Sequence, residues 1–209
     1  MPDRLVGLVT AAGESTRMGG FPKPLLTVDG QRFVERLVET YRAAGVDDVV
    51  VVVGHEAEEV VARADLSAAT VVRNDDYESG MLSSVTAGVR AARAADADGL
   101  FLSPVDYPLI PVGVVERLRE AFAGEHADAD VVHPTVDGGR GHPPLFAAST
   151  FDALLDAPAD EGARAVVYAD DTDTRDVPVG DERIFVDIDT PSEYWDAVKR
   201  YEPRSERAD

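Results

Sequence analysis

A glycine-rich segment with two cations, residues 10–26 (TAAGESTRMGGFPKPLL), carries the clearest chemistry in the sequence. It follows an apolar run typical of a buried strand, and ligands of parallel sheets lie where such strands end. Its spacing is neither G-x-G-x-x-G nor that of a Walker A loop, since Phe21 follows the glycine pair. Main-chain N–H groups and cationic side chains together form concave anion sites. The segment supplies these groups from Gly13, Gly19, Gly20, Arg17 and Lys23. It therefore predicts a loop that holds a triphosphate, against the alternative of a strand-to-helix turn with two incidental bases.

Lysine is almost absent from the chain, which makes Lys23 conspicuous. The 20 basic residues include only Lys23 and Lys199 as lysines, whereas Asp and Glu number 40. The formal net charge of -20 predicts a surface that repels nucleic acid and anionic membranes. Because so few lysines are retained, one that lies inside the glycine-rich segment favours a specific role over chance.

The excess of acidic residues also suggests adaptation to concentrated salt. At 1 M salt the Debye length is about 3 Å, so that repulsion between surface carboxylates is screened. We expect the melting temperature to rise between dilute buffer and molar KCl. A melting temperature that stays constant or falls in KCl would contradict this halophilic character.

Length and composition indicate a single globular domain. The chain has 209 residues, of which 44% are hydrophobic and 29% charged, close to ordinary globular usage. The absence of cysteine excludes disulfides, thiolate metal sites and a cysteine nucleophile. The apolar run at residues 5–12 is too short to span a membrane. We expect a soluble cytoplasmic protein, either a monomer or a weak homo-oligomer.

Short β-branched runs alternate with amphipathic stretches, which is typical of an α/β sheet with helices on both faces. The predicted strands are residues 4–10, 48–54, 69–72, 99–106, 130–134 and 183–189. Helices are predicted near residues 33–45, 60–64, 82–95, 114–122 and from Pro191 onward. The run 48–54 has no polar face, so we expect it at the centre of the sheet. We predict one domain over residues 1–200, with a nucleotide-type first half and a more irregular second half in one sheet, and a polar tail at 201–209.

Six segments, in register along almost the whole chain, resemble the signatures of MobA-like nucleotidyltransferases. Residues 10–26 are similar to A-A-G-x-S-x-R-M-G followed by Lys. The others are NDDYESGMLSSVTAG (74–88), SPVDYPLI (103–110), GRGHPPLF (139–146), EGAR (161–164) and DIDTPSEY (187–194). The last three, with T-A-A-G where guanylyl-transferring relatives typically show L-A-G-G, resemble the molybdenum cofactor cytidylyltransferase group. The resemblance implies a three-layer, Rossmann-like fold of glycosyltransferase-A type with a mostly parallel central sheet. It also implies a nucleotide-binding half over about residues 1–110 and an acceptor-binding half over about residues 111–200.

The resemblance also implies a reaction: Mg²⁺-dependent transfer of a nucleotidyl group, with CTP favoured, Mn²⁺ as a substitute metal and the phosphate of a pterin cofactor as acceptor. In-line attack on the α-phosphorus needs positioning and charge neutralisation and no nucleophilic side chain. Alternatives on the same fold are a guanylyltransferase and a sugar-phosphate nucleotidyltransferase. Alternatives of other classes are a non-catalytic nucleotide-binding protein and a glycosyltransferase. The glycosyltransferase is disfavoured because Asp106 stands alone where D-x-D is expected.

Asp106 is the predicted metal ligand, because Mg²⁺ prefers carboxylates and phosphate oxygens and this acid follows a strand. The alternative is an acidic turn residue before Pro108. A second carboxylate is expected from residues 183–189, where strand alternation places Asp187 and Asp189 on one face. The resemblance favours Asp187. Other paired acids, at positions 96/98, 128/130 and 171/173, follow no strand and are interpreted as solvated surface residues.

The remaining roles follow from the resemblance. Arg17 and Lys23 would neutralise the β- and γ-phosphates and, with Asp106, form the catalytic set. The implied nucleotide-binding residues are Ala11, Ala12, Gly13, Ser15, Arg17, Gly19, Lys23, Asn74, Gly80, Ser83 and Ser84. Ser83 and Ser84 equally suit the start of a helix, and Asn74 suits a turn. The implied acceptor-binding residues are Arg140, His142 and Arg164, although a loop histidine beside two prolines is also commonplace.

Overall fold

The computed structural model describes residues 4–201, which build a central eight-stranded sheet and a separate two-stranded hairpin. The strands are β1 (Leu5–Ala11), β2 (Thr27–Val28), β3 (Gln31–Arg32), β4 (Asp48–Val53), β5 (Thr70–Arg73), β6 (Gly99–Pro104), β7 (Val131–Val136), β8 (Gly139–Arg140), β9 (Leu145–Ala147) and β10 (Thr174–Pro178). The helices are α1 (Phe33–Ala43), α2 (Ala57–Arg63), α3 (Met81–Ala94), α4 (Val112–Ala123), α5 (Phe151–Leu155), α6 (Ala163–Val167) and α7 (Pro191–Tyr201). Of the predicted tail at 201–209, Tyr201 is the last residue of α7, and residues 202–209 lie outside the described residues. No helix in the described part is long and apolar enough to cross a membrane.

The sheet has the strand order β10-β7-β9-β6-β1-β4-β5, with β8 added to β7. Strands β5, β4, β1 and β6 run parallel, β9 runs antiparallel to β6 and β7, and β10 is parallel to β7. The prediction of a mostly parallel, Rossmann-like sheet is therefore confirmed. Strands from both halves of the chain share this sheet, while the assignment of the halves to nucleotide and acceptor stays a prediction.

Strand β4 is covered on both faces, as its apolar sequence predicts, although it lies next to the edge strand β5 and not at the centre of the sheet. Val49, Val51 and Val53 belong to one hydrophobic cluster, and Val50 and Val52 belong to the other. Successive side chains of a strand point to opposite faces, so an unbroken valine run feeds two cores at once. The first core is covered mainly by α1 and α4, and the second by α3.

The predicted strand at residues 183–189 is wrong. Residues Glu182–Phe185 form a 3₁₀ turn, and the chain then runs irregularly to α7. Ile184 and Ile188 are fully buried, as a strand pattern would have it. Their main-chain groups bond to loops instead of a neighbouring strand, since Ile184 O accepts from His142 N (3.0 Å) and Ile188 N donates to Asp106 O (2.9 Å). The edge strand on this side of the sheet is β10 instead, in which only Val177 is buried.

Helix α3 approaches the sheet closely because Gly88 carries no side chain. A Cβ at Gly88 would lie 2.3 Å from both terminal methyl carbons of Leu8, which is fully buried in β1. We expect Gly88→Val to lower the free energy of unfolding by about 1–3 kcal/mol through overpacking, measured by urea denaturation. Gly113→Val is the control, because nothing lies within 4 Å of a Cβ at that helical glycine. Equal stability of the two variants would contradict the close-packing interpretation.

Candidate functional site

The main cleft opens where the chain leaves β1 and β6, the two strands at which the order of the parallel sheet changes direction. Strand β1 pairs with β4 on one side and with β6 on the other, so the crevice beyond its carboxyl end is the switch point where open α/β sheets bind ligands. The cleft has a volume of about 310 Å³. Of the predicted nucleotide-binding residues, those that line it are Ala11, Ala12, Gly13, Ser15, Arg17, Lys23, Gly80 and Ser84.

The glycine-rich loop is shaped by left-handed backbone at Ser15 (φ 54°), Gly19 (φ 69°) and Gly20 (φ 83°). Only glycine adopts such angles without steric cost, which explains the glycine pair. Ser15 Oγ accepts a hydrogen bond from Lys23 N (3.0 Å) and so ties the two ends of the loop together. Gly19 does not line the cleft, and its place in the loop is conformational. The loop leads back into the cleft at Lys23.

Lys23 lies at the floor of the cleft and is only 8% exposed. Its Nζ is 3.1 Å from Asp106 Oδ1 and also forms an ion pair with Asp189. Arg17, which is largely exposed, pairs with Asp189 as well. Burial acts to lower the pKa of Lys23, but its hydrogen bond to Asp189 and the charge of Asp106 outweigh burial and raise it. Both predicted cations are therefore charged and within the cleft.

Three carboxylates, those of Asp106, Asp187 and Asp189, meet beside Lys23, with oxygens within 4.8 Å of one another. Burial raises the pKa of Asp106, and burial together with Asp189 and Asp106 raises that of Asp187 to about 6. The hydrogen bond from Lys23 lowers the pKa of Asp189. An all-oxygen donor set with crowded negative charge fits a hard divalent cation such as Mg²⁺ or Mn²⁺.

The position of Asp187 and Asp189 has a different cause from the one predicted. The two residues do not lie on a strand, so strand alternation does not bring them together. The hydrogen bond from Ile188 N to Asp106 O holds their segment against the loop after β6. Glu193 fixes the other side, where its carboxylate accepts from Asp189 N (2.9 Å) and Thr190 N (2.8 Å). Asp187 as the second metal ligand stays a prediction, and Asp189 lines the cleft whereas Asp187 does not.

Asn74 and the serines after it form one hydrogen-bond network at the side of the cleft. The Asn74 amide donates to Ser83 Oγ (2.8 Å) and Ser84 Oγ (3.1 Å), and its oxygen accepts from Asp76 N (3.0 Å). Neither Asn74 nor Ser83 lines the cleft. Helix α3 begins at Met81 with Gly80 at its N-cap, so the serines lie in its first turn. The network fixes the loop that presents Gly80 and Ser84.

A second cavity of about 300 Å³ brings together the three predicted acceptor-binding residues, Arg140, His142 and Arg164. The guanidinium carbons of Arg140 and Arg164 lie 5.9 Å and 5.7 Å from the Tyr168 ring centroid. Burial lowers the pKa of His142 to about 4, so this histidine is neutral at neutral pH. His142 therefore contributes a hydrogen bond or a stacking surface, and the positive charge comes from the arginines.

His133 in β7 also lines the second cavity, although the sequence pattern gives it no role. It is 9% exposed, and neither ring nitrogen has a hydrogen-bond partner within residues 4–201. Burial, followed by the positive charge of Arg140, lowers the pKa of His133 to about 4. The nearby Gly141 backbone offsets this lowering only in part, and it forms no hydrogen bond of normal geometry with the ring. The sequence signal that could have singled out His133 is the presence of a polar residue inside an apolar strand. Tyr107 and Tyr168 also line this cavity and had no predicted role.

The switch-point cleft, the glycine-rich loop and the carboxylate cluster define a Rossmann-like nucleotide-binding protein with a candidate divalent-metal site. Residues 7–174 match the family model described as the MobA-like NTP transferase domain. Because this match covers most of the sequence, the chain belongs to the MobA-like NTP transferase family, as its motifs predict.

Characterised relatives carry more than one activity. The chain is 34% identical to the molybdenum cofactor guanylyltransferase of Cereibacter sphaeroides (strain ATCC 17029 / ATH 2.4.9), over 91% of this chain and 93% of that protein. It is 33% identical to the nicotine blue oxidoreductase of Paenarthrobacter nicotinovorans, over 91% and 95%. It is 26% identical to the molybdenum cofactor cytidylyltransferase of Escherichia coli (strain K12), over 93% and 95%. Molybdenum cofactor nucleotidyltransferases are thus among its relatives.

Solved structures agree with the fold. The homologue of Mycobacterium tuberculosis Rv0371c from Mycobacterium sp. strain JC1 superposes with a TM-score of 0.83 at 26% identity, covering 96% of this chain and 98% of that chain. Rv0371c from M. tuberculosis H37Rv has been solved in complex with manganese, and it superposes with a TM-score of 0.76 at 25% identity, covering 94% and 98%.

Proposed function

We propose that this protein is a Mg²⁺-dependent nucleotidyltransferase that transfers CMP from CTP to the phosphate of a molybdopterin-type cofactor and releases pyrophosphate. The observation that carries the proposal is the meeting of Lys23 with Asp106, Asp187 and Asp189 at the switch point of the sheet. A cation for the leaving pyrophosphate and carboxylates for a metal are the two charges that this reaction needs. We place the protein in the cytoplasm as a monomer or weak homo-oligomer.

In the proposed reaction an oxygen of the acceptor phosphate attacks the α-phosphorus, the bond from that phosphorus to the bridging β-oxygen breaks, and pyrophosphate leaves. Asp106 with Asp187 or Asp189 would hold Mg²⁺, which would supply neutralisation of the phosphate charge. Lys23 and Arg17 stabilise the negative charge on the β- and γ-phosphates. To do so, both side chains exchange their ion pairs with Asp189 for the phosphates. The loop N–H groups around Gly13 orient the triphosphate, and Gly80 and Ser84 border the nucleoside. Arg140 and Arg164 hold the acceptor.

The choice of CTP over GTP rests on the wall of the cleft nearest the end of β1. Ala12 lines the cleft there, and its methyl group lies 2.8 Å from where a Cβ of Gly54 would be, so this wall is closely packed. Ala12 stands where guanylyl-transferring relatives typically have glycine, and this difference in the loop is the reason for favouring CTP. The 34% identity to a guanylyltransferase makes GTP the competing nucleotide.

The decisive experiment incubates the protein with Mg²⁺, molybdopterin and each of the four NTPs, and measures pyrophosphate release. We expect release that requires both CTP and molybdopterin and stops when EDTA is added. A preference for GTP would replace the cytidylyl assignment with a guanylyl one. Release that is indifferent to molybdopterin but stimulated by a sugar phosphate would overturn the proposed acceptor. Assays in low and molar KCl guard against a false negative from an acidic protein.

A second function of another class is favoured by one finding, the 33% identity to nicotine blue oxidoreductase. Reduction of nicotine blue with a nicotinamide reductant, followed by absorbance, tests it directly. Electron transfer of that kind has no need for three converging carboxylates beside a lysine. Dye reduction that survives EDTA, together with no NTP turnover, would favour the oxidoreductase. NTP binding without turnover of any substrate would favour a non-catalytic nucleotide-binding protein.

A further inference from the structure

Asp106 and Tyr107 are consecutive residues whose side chains line two different cavities. Asp106 lines the nucleotide cleft, and Tyr107 lines the cavity that contains Arg140, His142 and Arg164. Two hydrogen bonds fix the main chain of this loop, from Val105 N to Thr10 O (3.0 Å) and from Ile188 N to Asp106 O (2.9 Å). The loop is therefore the boundary between the two cavities, and Tyr107 lies on it next to the carboxylate cluster.

The Tyr107 ring is supported by the ring of His142, with centroids 4.1 Å apart and planes inclined at 37°. His142 is itself anchored, because its main-chain N donates to Ile184 O (3.0 Å) and its Nδ1 lies 3.4 Å from Leu102 O. Offset or tilted contacts between rings restrict both partners. Tyr107 is thus held at the cavity wall and loses little further freedom when a ligand binds beside it.

The hydroxyl of Tyr107 is available to a ligand. It makes no hydrogen bond to a protein group within residues 4–201. A tyrosine hydroxyl is protonated at neutral pH and can donate one hydrogen bond. Tyr107 therefore presents a donor without a protein acceptor in the wall of the acceptor cavity, one residue along the chain from Asp106.

We propose that Tyr107 binds the acceptor, with its hydroxyl donating a hydrogen bond to the acceptor's phosphate and its ring lining the site of a flat heterocycle. This inference rests on the proposed function and adds to it the residue that guides the acceptor phosphate toward the α-phosphorus. The Tyr107 proton is not transferred in the reaction. Arg164, and Arg140 once it gives up its ion pair with Asp176 (2.6 Å), neutralise the same phosphate-bearing ligand, so its class is a phosphate monoester of a planar heterocycle.

The test compares Tyr107→Phe, which keeps the ring, with Tyr194→Phe as the matched control. Tyr194 lies in α7, where its hydroxyl donates to Thr27 O (2.9 Å), and it lines neither cavity. Neopterin monophosphate serves as the probe, titrated by pterin fluorescence, and Mg²⁺·CTP is titrated separately by calorimetry. Loss of one hydrogen bond to a charged group is expected to weaken neopterin monophosphate binding about tenfold. Binding of Mg²⁺·CTP stays within about twofold of wild type, and Tyr194→Phe matches wild type for both ligands.

Three results would overturn the proposal. Tyr107→Phe could bind the pterin phosphate as wild type does, or it could lose nucleotide and pterin binding equally, which is the mark of a structural role. Wild-type protein could also fail to bind neopterin monophosphate, whether or not it binds a sugar phosphate, in which case metal-dependent CTP binding would still support the nucleotidyl half of the proposed function.

Discussion

Replacing Lys23 by alanine is expected to reduce turnover by on the order of 10²-fold or more, because the pyrophosphate leaving group loses its buried cation. Lys23 is 8% exposed and lies in the cleft, where its Nζ is 3.1 Å from Asp106. Lys199→Ala is the matched control, since it removes the only other lysine, which is largely exposed on α7 and pairs with Asp196 at 3.7 Å. The measurement is steady-state pyrophosphate release, with circular dichroism to establish that both variants fold.

The same substitution is expected to increase the affinity for the metal while it decreases turnover. In the nucleotide-free protein the Lys23 ammonium group neutralises Asp106 and Asp189, two of the three carboxylates that a divalent cation would use. Lys23→Ala removes this competitor and should tighten Mn²⁺ binding while turnover falls, which titration by electron paramagnetic resonance can follow. Near-wild-type turnover in Lys23→Ala would contradict the triphosphate-loop assignment. Weaker Mn²⁺ binding would contradict the carboxylate cluster as the metal site.

The parallel half of the sheet was predictable because its strands are buried on both faces. Strands β1, β4 and β6 are continuous apolar runs, and such runs leave few alternatives in an α/β chain. Strand β10 carries no comparable signal, since its sequence TRDVP buries a single valine at the sheet edge. Residues 183–189 show the converse error. Ile184 and Ile188 are buried with a strand-like pattern, but loops at Asp106 and His142 take the backbone hydrogen bonds.

The site was predictable where a residue follows a strand directly and not where contact depends on distant segments. The glycine-rich loop follows β1 and Asp106 follows β6, so both lie at the same sheet edge by topology alone. The pairing of Lys23 with Asp189 joins residues 166 positions apart, and no local pattern encodes it. His142 illustrates a further limit. The resemblance implies that it binds the acceptor, but the sequence does not give its charge, and burial lowers its pKa to about 4 and leaves it neutral.

Asp106→Asn is expected to reduce metal-dependent turnover by about 10²- to 10³-fold, because an amide replaces the carboxylate most firmly placed at the candidate metal site. Metal ions contribute several kcal/mol to such reactions, and each 1.36 kcal/mol corresponds to a factor of ten in rate. Asp128→Asn is the control, since it changes the net charge equally at an exposed position outside both cavities. Comparable turnover in the two variants, measured over a Mn²⁺ titration, would contradict the role of Asp106.

Asp187 is expected to make the stability of the metal-free protein depend on pH, and a metal bound at the carboxylate cluster should reverse that dependence. Its pKa in the folded protein is about 6, raised by burial and by the charges of Asp189 and Asp106, whereas the ordinary value is 3.8. The folded state therefore binds a proton more tightly than the unfolded state. Metal-free stability should fall as pH rises from about 4 through 6, and Asp187→Asn should remove part of this fall.

Saturating Mn²⁺ should reverse the trend in wild type, because a bound cation favours the ionised carboxylate. Melting temperatures at pH 5 and 8 with and without Mn²⁺ test this, and a metal-free decline that is unchanged in Asp187→Asn would assign the titration to Asp106, whose pKa is also raised by burial.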